Sequence, residues 1–268
     1  MRRLSWRERS RPLRHGLGAL LGRVGIAAPP AVTEPAAAAP GTGTPPGARL
    51  SYAGHGEDLL VWAWLSVEGR LKGPEIRYLD IGAADPIHLN NTYLLSTLGA
   101  SGVLVEPDPA QAAKLRAVRP RDLTIQAGVA FDGRRSATFT RFTSPLFNTF
   151  SPQQADKVVA ASKTWHPTAL QTVVDHLEVE LIPINQILEE HGTPHFLSVD
   201  AESFDFPILQ SLDFSRFRPW IICTEIMRPC GEIAALLNPH GYQFIGRTPD
   251  NVLFMLNPLP SNPAMVCD

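Results

Sequence analysis

Bulky apolar residues are sparse in the first fifty positions; from Ser51 onward they fall into short clusters separated by polar turns. Leu59, Leu60, Val61, Trp62, Trp64 and Leu65 keep helical spacing and predict a helix over 57–67. IRYLDI (76–81) and GVLVE (102–106) are short, nearly continuous apolar runs, the pattern of strands buried on both faces, as is LTIQA (123–127). Between them, 91–98 and 109–118 keep helical spacing. Further strands are predicted at 139–142, 177–182, 196–199, 220–224, 242–245 and 252–256, with helices at 184–191, 206–212 and 232–237. The last two strands flank the turn GRTPDN, too short for a crossover, so they must pair antiparallel. Strand–helix alternation closed by a hairpin predicts a mostly parallel α/β sheet with one antiparallel strand near its edge.

Residues 143–176 break this rhythm. Rich in Ser, Thr, Pro and Gln, with Phe147, Phe150 and Trp165 among them, they read as a long loop of the lid or binding kind. Residues 27–50, dominated by Ala, Pro, Gly and Thr, read as a disordered linker, because they carry too little apolar surface to offset ordering entropy. The chain therefore divides into a tail (1–26), a linker (27–50) and one folded domain (51–268).

Charge adds an asymmetry that the net value of -2 conceals. Residues 1–25 hold seven arginines against one acid, Glu8, which leaves 17 basic and 25 acidic side chains for 26–268. An acidic body lacks the basic footprint that nucleic acid requires. The arginine-rich head suits an anionic membrane surface or a simple solvated tail. No apolar run reaches the length that spans a bilayer. Cys223, Cys230 and Cys267 have no zinc-ligand spacing. The expected setting is cytoplasmic, with peripheral membrane contact confined to the head.

Four predicted strands end in acids: Asp80, Glu106, Asp200 and Glu225. In sheets of this type ligands sit beyond the carboxyl ends of the strands. A carboxylate is costly at a buried strand tip without a partner, so the four acids point to a polar ligand crevice. Gly82 in DIGAADP permits a tight turn and close backbone approach. Glu106 follows 24 residues later, a spacing that suits an acid accepting from both hydroxyls of a ribose. G-x-G-x-x-G and G-x-x-x-x-G-K-[ST] are both absent, which disfavours a dinucleotide or a triphosphate and favours a nucleoside without phosphates, of which S-adenosylmethionine is the common one.

The segments SYAGHGED (51–58), YLDIGAADPIHLNNTYLL (78–95), GVLVEPDP (102–109), FLSVDAESFDFPILQSLDF (196–214) and RPWIICTEI (218–226) together resemble the FkbM family of S-adenosylmethionine-dependent methyltransferases. The chain departs from that family's pattern at Gly54, where Gln is common, and at Ser203, where Gly is common. The resemblance implies a Rossmann-like class I methyltransferase fold: a mostly parallel seven-stranded sheet with an antiparallel C-terminal hairpin strand. It also implies methyl transfer to a hydroxyl of a sugar, glycolipid or secondary metabolite, so the partner is a small-molecule or glycan- or lipid-linked acceptor. Carried over, Asp80, Gly82 and Ala83 would line the amino-acid end of the cofactor, Glu106 with Pro107 the ribose, and Asn91 and Thr92 the methionine part. Asn91 equally suits a helix cap.

On the acceptor side the candidates are His55, Glu57 and Asp58, although the two acids also suit the positive N-terminal end of the helix that follows. A hydroxyl must lose its proton as its oxygen bonds to the methyl carbon, and a nearby carboxylate or histidine can accept it. Asp200, Glu202 and His88 are the catalytic candidates, with Asp205 assigned to helix capping. This scheme requires no metal. Two rival readings remain at this stage: a nucleotide-sugar glycosyltransferase holding a divalent metal through Asp200-Ala201-Glu202, and a non-catalytic binding protein retaining the fold.

Overall fold

The computed structural model describes residues 49–66, 72–164 and 170–257. The basic head, the linker up to residue 48 and Trp165 lie outside the described residues. The main sheet has seven strands: β1 (Arg77–Ile81), β2 (Ser101–Val105), β3 (Leu123–Ile125), β7 (Phe196–Val199), β8 (Ile221–Glu225), β9 (Tyr242–Arg247) and β10 (Asn251–Leu256). Their order across the sheet is β3-β2-β1-β7-β8-β10-β9. Only β10 runs antiparallel to its neighbours, pairing with β8 on one side and β9 on the other, so the sheet is the expected one. The order reverses between β1 and β7, the crevice where α/β sheets bind ligands.

Helices α1 (Glu57–Ser66), α2 (Tyr93–Thr97), α3 (Pro109–Val118), α5 (Ile184–His191), α6 (Asp205–Ser211) and α7 (Cys230–Leu237) connect and cover the sheet. Side-chain alternation splits the core in two. Leu79, Ile81, Leu197, Val199 and Ile222 pack on one face, and Tyr78, Phe196, Cys223 and Leu253 on the other. Every residue of β7 is buried, as its apolar run predicts for the middle of a sheet covered on both sides. Local chemistry sets where helices start. Pro109 opens α3 while the Asp108 carboxylate accepts from the Ala110 N–H at 2.8 Å.

The 143–176 stretch is not the loop its composition suggests. It contains a 3-10 turn at Pro145–Phe147, helix α4 (Pro152–Ser162) capped by Ser151, and the start of strand β6 (Val173–Pro183). With β4 (Gly128–Ala130) and β5 (Ser136–Phe142), β6 builds a second, three-stranded sheet in the order β4-β6-β5. The predicted strand at 177–182 thus belongs to this inserted sheet and not to the main one. Its aromatic residues pack: Phe147 is buried, and Phe150 lies 4.6 Å from Phe139, ring centre to ring centre. No helix among the described residues is long and apolar enough to cross a membrane.

Candidate active site

One cavity opens where the carboxyl ends of β1, β2, β7 and β8 meet the inner face of the inserted sheet. Gly82, at φ +82°, makes the turn out of β1, and a Cβ there would collide with the Asp200 carbonyl oxygen. Four non-glycine residues among those described hold positive φ: Ala84 and Leu89 after β1, and Glu202 and Ser203 after β7. Such backbone is costly for L-residues and collects where the surroundings enforce a binding geometry. Ser203, at φ +87°, occupies the position where the family pattern has glycine.

Glu106 stands just past β2 and is almost fully buried. Its Oε2 accepts from the Ala84 N–H at 2.8 Å, and its Oε1 from the Asp108 N–H at 2.7 Å. Each oxygen keeps a lone pair for a further donor. Burial pushes this carboxyl up to about 7, against the pull of the two amides. Beside it, Gln111 lines the same wall, buried, with its Oε1 lacking any donor. A close-approach glycine, a ribose-length acid and an orphaned acceptor form a cradle suited to a nucleoside.

Of the candidates read from the sequence, Gly82, Asn91, Glu106, Pro107, Asp200, Glu202, His55 and His88 share this cavity. Asn91 does not cap a helix; its Nδ2 donates to Ser198 Oγ at 3.2 Å. His88 is exposed at the rim. His55 Nδ1 lies 3.3 Å from Asp250 Oδ2. Asp80, Ala83, Thr92, Glu57 and Asp58 are placed behind the wall. Asp80 sits on the Tyr78 face of β1, where strand alternation turns it away from the cavity, and accepts from Thr92 Oγ1 at 2.7 Å. Burial raises the Asp80 carboxyl, partly offset by Thr92 and Arg119.

Glu57 is sealed. Burial would raise it, but hydrogen bonds from Thr248 Oγ1 (2.5 Å), the His55 N–H (2.8 Å) and Asn251 Nδ2 (3.0 Å) hold it below its ordinary range. Asp58 accepts from Ser51 Oγ, the Tyr52 N–H and the Leu59 N–H, pinning 51–58 to the start of α1. Both acids thus organise the segment that presents His55.

Sequence reading passed over Arg119, 2% exposed at the end of α3. Its guanidinium donates to Asp122 Oδ2 (2.7 Å), Tyr78 Oη (2.8 Å), Asn90 Oδ1 (3.0 Å) and Thr92 Oγ1 (3.1 Å). Asn90 in turn donates to the Ala83 carbonyl at 3.0 Å. This buried network fixes the loop that follows β1. An arginine beside a proline in VRPRD gives no periodic signal of such a role.

The far wall is acidic. Asp200, at the tip of β7, is pushed up to about 8 by burial and by the neighbouring charges of Asp205 and Asp80. Glu202 and Glu225 are raised well above the ordinary range, by burial first and then by Asp200 and other carboxylates. Asp205 begins α6 instead of capping it and accepts from the Ala201 N–H at 3.1 Å; burial brings it to about 6 against backbone hydrogen bonds. The wall opposite is apolar, formed by Val129, Phe131, Phe139, Phe147 and Phe150 of the insertion.

The strand order, the crevice at its reversal and this cradle suit a nucleoside-bearing cofactor. The methyltransferase FkbM domain matches residues 80–244, more than half of the chain, and the chain belongs to that family. S-adenosylmethionine is therefore its cofactor, and the family is one of methyltransferases, not of nucleotide-sugar glycosyltransferases. The chain is also similar, at low identity, to solved structures. A TehB-like SAM-dependent methyltransferase from Corynebacterium glutamicum is 10% identical, with a TM-score of 0.39 over 76% of this chain and 88% of that one. A methyltransferase FkbM from Methylobacillus flagellatus is 15% identical, with a TM-score of 0.36 over 68% of this chain and 44% of that one. The precorrin-6y C5,15-methyltransferase from Geobacter metallireducens is 12% identical, with a TM-score of 0.39 over 74% and 86%. No curated protein matches the chain.

Proposed function

We propose that the protein transfers the methyl group to a hydroxyl oxygen of a small acceptor with a polar, hydroxyl-bearing end and an apolar body, of the sugar, glycolipid or secondary-metabolite kind. The observation that carries this reading is the division of the cavity into a carboxylate wall at Asp200 and Glu202 and an aromatic wall from the inserted sheet. S-adenosylmethionine supplies an electrophilic methyl group on a sulfonium. Glu106 takes the ribose hydroxyls, and Gly82 lets the backbone close on the ligand. Asp200 holds the acceptor hydroxyl and takes its proton as the new C–O bond forms. Phe147 and Phe150 cover the apolar part of the acceptor and keep water from the methyl group. Most of the rate enhancement comes from holding the acceptor oxygen in line, and the two fixed walls provide that constraint.

The test is transfer of labelled methyl to panels of hydroxyl, amine and carbon acceptors, with the methylated atom located by NMR. Label on oxygen, lost with Asp200→Asn while S-adenosylhomocysteine still binds, is the expected result. Transfer to nitrogen or carbon alone would overturn it.

A further inference from the structure

Five carboxylates line the cavity (Glu106, Asp200, Glu202, Glu225 and Asp250) against one guanidinium, Arg134, which is itself paired with Asp132 at 2.8 Å. Three acids from separate elements converge: Asp200 after β7, Asp205 at the start of α6 and Glu225 at the end of β8. Each offers one carboxylate oxygen, and the three oxygens all lie within 4.8 Å of one another. Oxygens bound about 2.1 Å from one magnesium ion lie up to about 4.2 Å apart, a comparable span.

Packing does not account for the convergence. No ion pair among the described residues involves any of the three. Asp205 is 2% exposed, and its Oδ1 is tied to the Ala201 N–H, yet its Oδ2 meets no donor; Glu225 Oε2 is equally sealed and equally unpartnered. A non-acidic group repeats the pattern. Gln154, 3% exposed and hydrogen-bonded to Glu202 on the same wall, leaves its carbonyl Oε1 without a donor. Buried acceptors without a donor are rare, and a cation at this wall would satisfy them.

We infer that Asp200, Asp205 and Glu225 form a binding site for a divalent cation, magnesium or manganese, beside the methyl-transfer centre. Three carboxyls at this spacing, which a bound divalent ion would hold ionised, match such an ion better than a single ammonium group. An ion there would leave open positions toward the cavity and hold an acceptor oxygen while lowering its pKa. With the ion in place Asp200 would be a ligand, and the proton that passes to Asp200 in the metal-free scheme would pass to Glu202. The inference rests on the methyltransferase reading of this cavity.

The test is titration of the purified full chain with manganese, without cofactor, reading free manganese by electron paramagnetic resonance. S-adenosylhomocysteine binding is measured on the same samples, and circular dichroism reports folding. The expected result is one saturable site, displaced by magnesium and weakened at least about tenfold by Asp205→Asn and by Glu225→Gln. Asn at 205 can still accept from the Ala201 N–H. No saturable binding to folded wild-type protein up to about 1 mM overturns the site, as does equal binding in both variants. S-adenosylhomocysteine binding without manganese binding removes only the metal. Loss of S-adenosylhomocysteine affinity in Asp205→Asn with no manganese bound to wild type would assign the cluster to an ammonium group and overturn the metal. Folded wild-type protein that binds neither ligand fails both readings.

Discussion

With Glu106 holding the ribose as proposed, its protonation should set the pH range over which the protein holds S-adenosylmethionine. The Glu106 carboxyl, raised to about 7 by burial, is half ionised near neutrality, and only the ionised form accepts from both ribose hydroxyls while still accepting from the Ala84 and Asp108 amides. With that midpoint the ionised fraction is about 0.9 at pH 8 and about 0.1 at pH 6, so affinity should fall roughly tenfold, ~1.4 kcal/mol, over that interval. Binding near pH 7 should release a proton, visible by calorimetry as an enthalpy that varies with the buffer. Glu106→Gln removes the slope. It also leaves the new amide facing one of the two backbone N–H donors, a buried mismatch costing about 1–3 kcal/mol. The assay is S-adenosylhomocysteine titration at pH 6, 7 and 8 with wild type and Glu106→Gln. A wild-type affinity flat across that range would refute the reasoning, because Glu106 would then be either always ionised or out of contact with the ligand.

The ligand-free protein should show the opposite slope at this residue. A carboxyl raised in the folded state contributes most below its ordinary range near 4.5 and loses that share as pH climbs through about 7, so unfolding midpoints of wild type should fall over pH 5–7 by more than those of Glu106→Gln. Gly82→Ala should cost more than ~2 kcal/mol, combining an unfavourable positive φ with a collision against the Asp200 carbonyl, and should abolish S-adenosylhomocysteine binding; calorimetry and a melt read both. Ser203→Gly should raise the melting temperature by a few degrees, about 0.5–1 kcal/mol, because φ +87° is free for glycine and strained for serine; an unchanged or lower value counts against strain there. Arg119→Met should cost about 3–5 kcal/mol in urea unfolding, since Asp122, Tyr78 and Thr92 lose their shared donor.

Much of this was legible in the chain. Apolar runs at 76–81, 102–106 and 196–199 could only be buried strands, and the GRTPDN turn forced the antiparallel partner; β1, β2, β7 and β10 follow. Gly82 and Glu106 both line the cavity, where their places just after two predicted strands put them. Residues 143–176 misled, because helix α4 buries a stripe made mostly of small and polar residues, Gln154, Ala155, Ala161 and Ser162 beside Val158, so its helical spacing carries little bulky apolar signal. Asp80 and Thr92 looked like wall residues; which face of β1 each acid takes depends on register, and the Tyr78–Arg119 network claims that face. Glu225 looked like one more strand-tip acid. Its convergence with Asp205 and Asp200 is a tertiary fact, made by a helix start meeting the ends of two neighbouring strands.

The two walls of the cavity come from separate stretches of chain. Residues 82–107 build the cradle, and 128–181, a self-paired sheet with its own helix, build most of the aromatic side. Because the inserted strands hydrogen-bond chiefly to one another and return to the main sheet through α5, that side can be exchanged as a block. A chimera carrying another enzyme's insert between Ile125 and Ile184 should keep its grip on the methyl donor and change only which acceptor it modifies. Such an exchange would have to keep the contacts that moor the insert beside the donor site, Asn148 donating to Asp108 and Thr149 to the Glu202 carbonyl.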